Sequence, residues 1–305
     1  MSDYINPIEQ LIHSTVRIQC GDDKNIFSSG TGYIFFFCEN GNQGYPCIVT
    51  NKHVVSGASR GIFNLTIQDD KNRPILGNHE EIILNDLPNF CIPHPSPDID
   101  LVAIPIGPIL NNAQLEGKHY HYIYINKGIL ASEELLNSLP SMEDIVMIGY
   151  PNGIWDAKHN LPIIRRGITA THPRLPLNGK SEFMIDAACF PGSSGSPVFL
   201  ANIGSFVDAS GALCTGSRIA LLGTLYAVAQ HTTTGEIEVI EVPTDTKTIT
   251  SHIPNNLGLV IHAKELLKLE IAVQKQLTPK PLMNRNALCL CGSGKRFKNC
   301  CGKIT

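Results

Sequence analysis

The chain of 305 residues contains no apolar run long enough to cross a bilayer as a helix; its richest, Tyr33-Ile-Phe-Phe-Phe37, is strand-length. Its opening, Met1-Ser-Asp-Tyr-Ile-Asn-Pro7, has neither the basic start nor the apolar stretch of a secretion signal. Charge bias is slight. A formal net charge of -3 gives no general reason for nucleic-acid binding, and such a partner is not expected. Charged residues make up only 17% and hydrophobic residues 43%, which excludes a disordered chain and allows a sizeable core. Helical periodicity is scarce, which argues against a parallel sheet with crossover helices. Together these absences lead to the expectation of a soluble, cytoplasmic, globular protein.

What is present begins with ten cysteines in two groups. Cys20, Cys38, Cys47, Cys91, Cys189 and Cys214 are scattered, mostly inside apolar runs, as free thiols are when they serve as small buried hydrophobes in a reducing compartment. Cys289, Cys291, Cys300 and Cys301 crowd the end of the chain, a clustering that points to metal.

Short runs rich in Val, Ile, Phe, Tyr and Thr, broken by Gly, Pro, Asn and Asp, recur from near residue 16 to residue 261. Thr15 to Gln19, Ile62 to Gln68, Leu101 to Ile106, Asp144 to Ile148 and Ile219 to Val228 are examples. Many short strands separated by turn signals predict an all-β barrel or sandwich. Two helices are expected. One is Ser132 to Leu139, capped by Ser132; the other is His262 to Leu277, where Ala263, Leu267 and Ile271 recur every four residues. The stiff segment Thr278-Pro-Lys-Pro281 follows, and divides the chain into residues 1–278, a linker at 279–283 and a compact cysteine module at 284–305.

Three segments carry chemistry. Cys47-Ile-Val-Thr-Asn-Lys-His-Val-Val55 delivers His53 at the end of an apparent buried strand. Pro97-Asp-Ile-Asp-Leu-Val-Ala-Ile-Pro-Ile106 leads two acids into an apolar run. Phe190-Pro-Gly-Ser-Ser-Gly-Ser-Pro-Val-Phe199 is a glycine- and serine-rich turn between apolar stretches. Attack on an amide needs a nucleophile stronger than a neutral hydroxyl. An imidazole that takes the serine proton, and a carboxylate that orients the imidazole, supply it. The tetrahedral oxyanion needs fixed donors, and backbone N–H groups in a tight glycine turn, here those of Gly192 and Ser194, are suited to that. Ser193 and Ser196 compete with Ser194 for the nucleophile's role, and Asp98 competes with Asp100 for the acid's.

Residues 16 to 270 resemble the trypsin/chymotrypsin superfamily, and most of all its bacterial HtrA-like branch. Val49-Thr-Asn-Lys-His-Val-Val55 is similar to the histidine motif, Gly192-Ser-Ser-Gly-Ser-Pro197 to the serine motif, and the order His, Asp, Ser agrees. The resemblance implies two antiparallel six-stranded β-barrels with the site in the cleft between them and a closing C-terminal helix. It implies a serine endopeptidase with the triad His53, Asp100 and Ser194. Asp100 is preferred to Asp98 because it directly abuts the buried run Leu101 to Ile104, where the family places its acid. By the same resemblance Ala188 belongs near the floor of the specificity pocket, with Tyr226, Ala227 and Val228 beside it. Without a carboxylate at Ala188 a small or apolar preference is expected, although Asp186 keeps a basic one open. Ser193 stands where secreted trypsins carry an aspartate that pairs with a newly cut N-terminus, so that activation route is not expected. Tyr226 lies where the family often has a Ser or Thr touching the triad acid.

The tail Asn286-Ala-Leu-Cys-Leu-Cys-Gly-Ser-Gly-Lys-Arg-Phe-Lys-Asn-Cys-Cys-Gly302 resembles the SEC-C motif, a zinc-binding module. The resemblance makes Cys289, Cys291, Cys300 and Cys301 ligands of one structural Zn²⁺. Four thiolates around Zn²⁺ carry a net charge of about −2 and leave no open position for catalysis. Lys295, Arg296 and Lys298 offset that charge, and no acid occurs between residues 284 and 305. Docking of a protein partner or substrate is the expected role. Two rivals remain at this stage: a protease-like module that captures peptides without cutting, and a nucleic-acid adapter working through the tail.

Overall fold

In the computed structural model of the chain, the residues described are 6–41, 43–236, 248–278 and 295–296. The first lobe contains β1 (Thr15–Gly21), β2 (Ile26–Asn40), β3 (Gln43–Thr50), β4 (Arg60–Gln68), β5 (Pro74–Asn85), β6 (Ile92–Pro93), β7 (Val102–Pro105) and β8 (Tyr120–His121). The second contains β9 (Asp144–Gly149), β10 (Ile163–Thr169), β11 (Glu182–Asp186), β12 (Pro197–Asn202), the small hairpin β13 (Ser205–Val207) and β14 (Leu213–Thr215), β15 (Arg218–Glu236) and β16 (Thr248–His262). Helices α1 (Pro7–Leu11), α2 (Lys52–Val55), α3 (Leu87–Phe90), α4 (Gly107–Leu115), α5 (Glu133–Ser138) and α6 (Glu265–Leu277) decorate this β framework. Among the described residues no helix is long and apolar enough to cross a membrane.

The second lobe is the expected closed barrel, in the order β10-β11-β16-β15-β12-β9. The first lobe corrects the expectation of a second six-stranded barrel. It is an eight-stranded sheet ordered β5-β4-β1-β2-β3-β7-β6, with β8 paired to β4, and β5 does not pair with β6. The reason is local: β6 has only two residues, one of them Pro93, which has no N–H to give a ladder.

Near-continuous apolar runs in these strands follow from burial on both faces, since successive side chains alternate. Ile34, Ile48 and Ile104 face the interior of the first lobe, and Met147, Val198, Leu222 and Val260 that of the barrel. Their neighbours Tyr33, Phe35, Val49, Ala103, Ile148, Phe199, Leu221 and Ile261 form a third cluster joining the lobes. Each fully buried Phe in that seam contributes about 1.5–3 kcal/mol. The lobes are therefore fused through a shared core.

Helix α6 closes the seam, but by a different face from the one the sequence pattern picks out. Leu266, Leu269 and Val273 pack into the core, whereas Leu267 and Ile271 are 44% and 65% exposed. Its acids are part of the clasp. Glu270 accepts from the Cys38 amide at 2.6 Å and pairs with Lys127 Nζ at 2.6 Å, and Glu265 lies 3.4 Å from His94 Nε2. The expected short helix is α5, where Ser132 Oγ accepts from the Leu135 amide at 3.1 Å.

Candidate active site

Strand β3 stops at Thr50, and His53 is carried by the single turn α2 rather than by a strand end. Asn51 precedes that turn without capping it; its Nδ2 donates instead to the Asp100 carbonyl at 2.7 Å. Asp100 in turn grips His53 twice. Its Oδ1 accepts from the His53 amide at 3.1 Å, and its Oδ2 lies 2.5 Å from Nδ1 of the ring. The imidazole is half exposed, whereas Asp100 is 22% exposed. Asp98 is exposed and has no bond to His53.

The serine turn hangs between β11 and β12 and is shaped by Gly192 (φ +84°) and Gly195 (φ +87°), both in the left-handed region that disfavours a Cβ. Neither has room for one. An added Cβ on Gly192 would stand 2.7 Å from the Tyr150 carbonyl oxygen, and one on Gly195 would overlap that of Thr31. Of the three serines here, Ser193 and Ser196 are completely buried and Ser194 retains solvent access. Ser193 N and Gly195 N are engaged, donating to Phe190 O and Leu225 O at 3.0 and 2.8 Å. Among the described residues the amides of Gly192 and Ser194 donate to no acceptor, leaving two neighbouring N–H groups uncommitted.

The turn is tied to the first lobe by residues that carried no signal of their own in the sequence. Thr31 N donates to the Ser194 carbonyl at 2.8 Å, and Thr31 Oγ1 to that of Gly192 at 3.0 Å. Thr50 Oγ1 donates to the Thr31 carbonyl at 2.7 Å. A Cβ on Gly30 would stand 2.7 Å from Val54 Cγ2 and 3.2 Å from the Ser194 carbonyl oxygen. The residue after His53 and the backbone of Ser194 thus both crowd the space where a side chain on this one glycine would stand. Gly30-Thr-Gly32, small residues inside an apolar strand, is the one hint that the sequence held.

Tyr226 sits in an irregularity of β15, between the pairs Leu225–Val260 and Ala227–Leu259. Such a bulge re-aims a side chain. Its hydroxyl donates to Glu182 at 2.6 Å, and its pKa is raised by burial, by that bond, by the Glu182 charge and by the charge of Asp100. Ala227 and Val228 are half-buried, whereas Ala188 is exposed. Gly258, the cross-strand partner of Val228, would bring a Cβ to 2.8 Å from Cys189 Sγ, so the segment after Ala188 reaches this wall of the barrel. A cavity of about 580 Å³ lies elsewhere, behind α2, lined by Lys52, Val55, Cys91, Pro93 and Val102 among others. It includes neither His53 nor Ser194.

Cys289, Cys291, Cys300 and Cys301 lie outside the described residues, and among the described residues no group of three or more His, Cys, Asp or Glu side chains could hold a metal. Of the scattered thiols, Cys20, Cys47 and Cys189 are buried and the other three half-buried. Burial, with the nearby Cys91, pushes the Cys20 thiol up to about 12.

The sequence profile of the trypsin-like peptidase domain matches residues 30–207, and that of the SEC-C motif matches residues 285–303. No curated protein matches the chain. Among solved structures, the serine endoprotease from Yersinia pestis is 17% identical, with a TM-score of 0.45 over 88% of this chain. This chain spans 65% of that one's length. The Rv3671c protease from M. tuberculosis in its active form is 15% identical, with a TM-score of 0.41 over 88% of this chain and 84% of that one. The inactive form of the Rv3671c protease is 15% identical, with a TM-score of 0.39 over 85% of this chain and 88% of that one.

Proposed function

The chain belongs to the trypsin-like peptidase family, and from that premise we propose that it is a serine endopeptidase acting on protein substrates through His53, Asp100 and Ser194. The observation that carries the proposal is the junction at Gly30. There the helix bearing an Asp100-bound imidazole and the turn bearing the one solvent-accessible serine pack against the same residue.

With Nδ1–H donating to the Asp100 carboxylate, which stays ionised, Nε2 is left as the base. It takes the Ser194 proton as Oγ bonds to the substrate carbonyl carbon, and the Gly192 and Ser194 amides receive the resulting oxyanion. The imidazolium then protonates the amine as the C–N bond breaks. Water, deprotonated by the same ring, cleaves the acyl ester and restores Ser194. Removing one oxyanion donor costs about 2.7–4 kcal/mol of transition-state stabilisation.

The peptidase domain is assigned to residues 1–278 and the tail to a module at 284–305, joined by 279–283. The donor set of the tail, four cysteines with no competing acid, fits Zn²⁺. Cys289, Cys291, Cys300 and Cys301 would hold it, and the bound ion would supply folding stability rather than chemistry. Docking of a substrate or a protein partner is its proposed role.

An alkyl fluorophosphonate is expected to label the wild-type chain and to leave Ser194→Ala unlabelled. Absence of labelling in the wild type, or persistence in the variant, removes the peptidase assignment. Metal analysis of the purified chain is expected to return one zinc per chain, lost on replacing Cys300 and Cys301 by Ser; a metal-free wild type sinks that part.

A further inference from the structure

Arg165 lies on β10 directly across from Met147 of β9. Cross-strand partners share a face, and Met147 is completely buried among the side chains of the barrel interior. Arg165 therefore points into the barrel, at the end where the chain turns through Ala188 to Ser193. Its guanidinium reaches that turn. Nη1 donates to the Ala188 carbonyl at 2.6 Å and to Ser193 Oγ at 2.9 Å. The opposite edge, Nε and Nη2, is shielded from solvent and has no acceptor. Among the described residues Arg165 forms no ion pair, and the Cys189 thiol near it is pushed up by burial to about 11.

A half-buried cation without a counter-ion, one edge of it shielded from solvent, is costly to keep. Here it stands beside Ser193, the residue covalently joined to the proposed nucleophile. The unpartnered edge is also specific in shape, because Nε–H and Nη2–H are parallel donors, the fork that a carboxylate occupies with both oxygens. Ala188, whose carbonyl accepts from Nη1, is itself exposed.

We infer that Arg165 is a specificity-determining residue that selects substrates with Asp or Glu on the acyl side of the cleaved bond, the side-chain carboxylate taking the Nε–Nη2 edge. The inference deepens the peptidase assignment and rests on it. It also reverses the small or apolar preference expected from Ala188. The same Nη1 bonds give Arg165 a second role as a positioning residue, since they fasten both ends of the turn that an aspartate in place of Ser193 would otherwise anchor.

Peptidyl phosphonates carrying Glu, Asp, Leu, Ala or Lys next to phosphorus test this on the full chain, alongside the plain fluorophosphonate. The Glu or Asp reagent is expected to label Ser194 at least about 100-fold faster than the Leu reagent. Arg165→Gln, which keeps a donor for Ala188 and Ser193 but loses the charge, is expected to lower that ratio by about 100-fold. Arg165→Lys keeps the charge without the fork and is expected to lower it by about 10-fold. Leu, Ala or Lys reagents reacting as fast as the acidic ones in the wild type overturn the inference without recourse to any variant, and so does a ratio unchanged in Arg165→Gln. Failure of the plain fluorophosphonate instead removes the peptidase assignment, and this inference falls with it.

Discussion

In the first lobe, His53 and Asp100 are joined side chain to side chain and side chain to backbone, on a surface where half of the imidazole is open to solvent. In the barrel, Ser194 is held by its backbone alone, through two left-handed glycines and the Thr31 amide. The frameworks differ in the same sense. The sheet of the lobe that carries His53 is open at β5 and β6, and the sheet that carries the serine turn is closed. In the proposed mechanism the imidazole is served by one oriented partner and an open face. An oxyanion site is served by rigidity, because donors aimed in advance need no reorganisation when charge develops.

That contrast is open to direct attack. The largest effect is expected on the base side: Asp100→Asn should lower kcat by about 10⁴-fold through the wrong tautomer, whereas Asp98→Asn should stay within about threefold of wild type. Equal losses at the two positions would show that the bond to His53 is not what orients the ring. The smaller effect concerns the serine side and is read in urea unfolding. Gly195→Ala should cost about 3 kcal/mol, because a left-handed alanine there also meets the Thr31 backbone. Gly211→Ala, equally left-handed at φ +87° but with nothing within 4 Å of its Cβ, should cost about 1 kcal/mol. A Gly195→Ala variant no worse than Gly211→Ala would mean that the turn is free to move and that the rigidity argued for the barrel is absent.

Much of the framework was legible before any coordinates. The runs at 15–19, 62–68, 101–106, 144–148 and 219–228 all contain strands, and Ser132 caps the helix that its sequence announces. Helix α6 is legible as a helix, but its buried face is not. Leu267 and Ile271 recur as regularly as Leu266, Leu269 and Val273, and only the placement of the lobes says which stripe meets the seam. His53 was expected at a strand end and sits on a helical turn, because Asp100 captures the side chain of Asn51 and the amide of His53 at once. Arg165 has a faint signal in the sequence: Ile163-Ile-Arg-Arg-Gly-Ile-Thr169 puts a charge on each face of a strand, and a closed barrel must take one of them inside.

By itself the sequence determined the local features of this protein: where strands break, which glycines accept a left-handed turn, which His, Asp and Ser motifs occur, and where four cysteines gather. These depend on backbone sterics and on neighbours a few residues away. Only the tertiary structure decided which of two acids reaches the imidazole, which face of α6 is buried, and that a lone guanidinium enters the barrel beside the serine. Each of those choices is set by pairings between residues tens to hundreds of positions apart, as Thr31 with Gly192 illustrates, 161 residues distant along the chain.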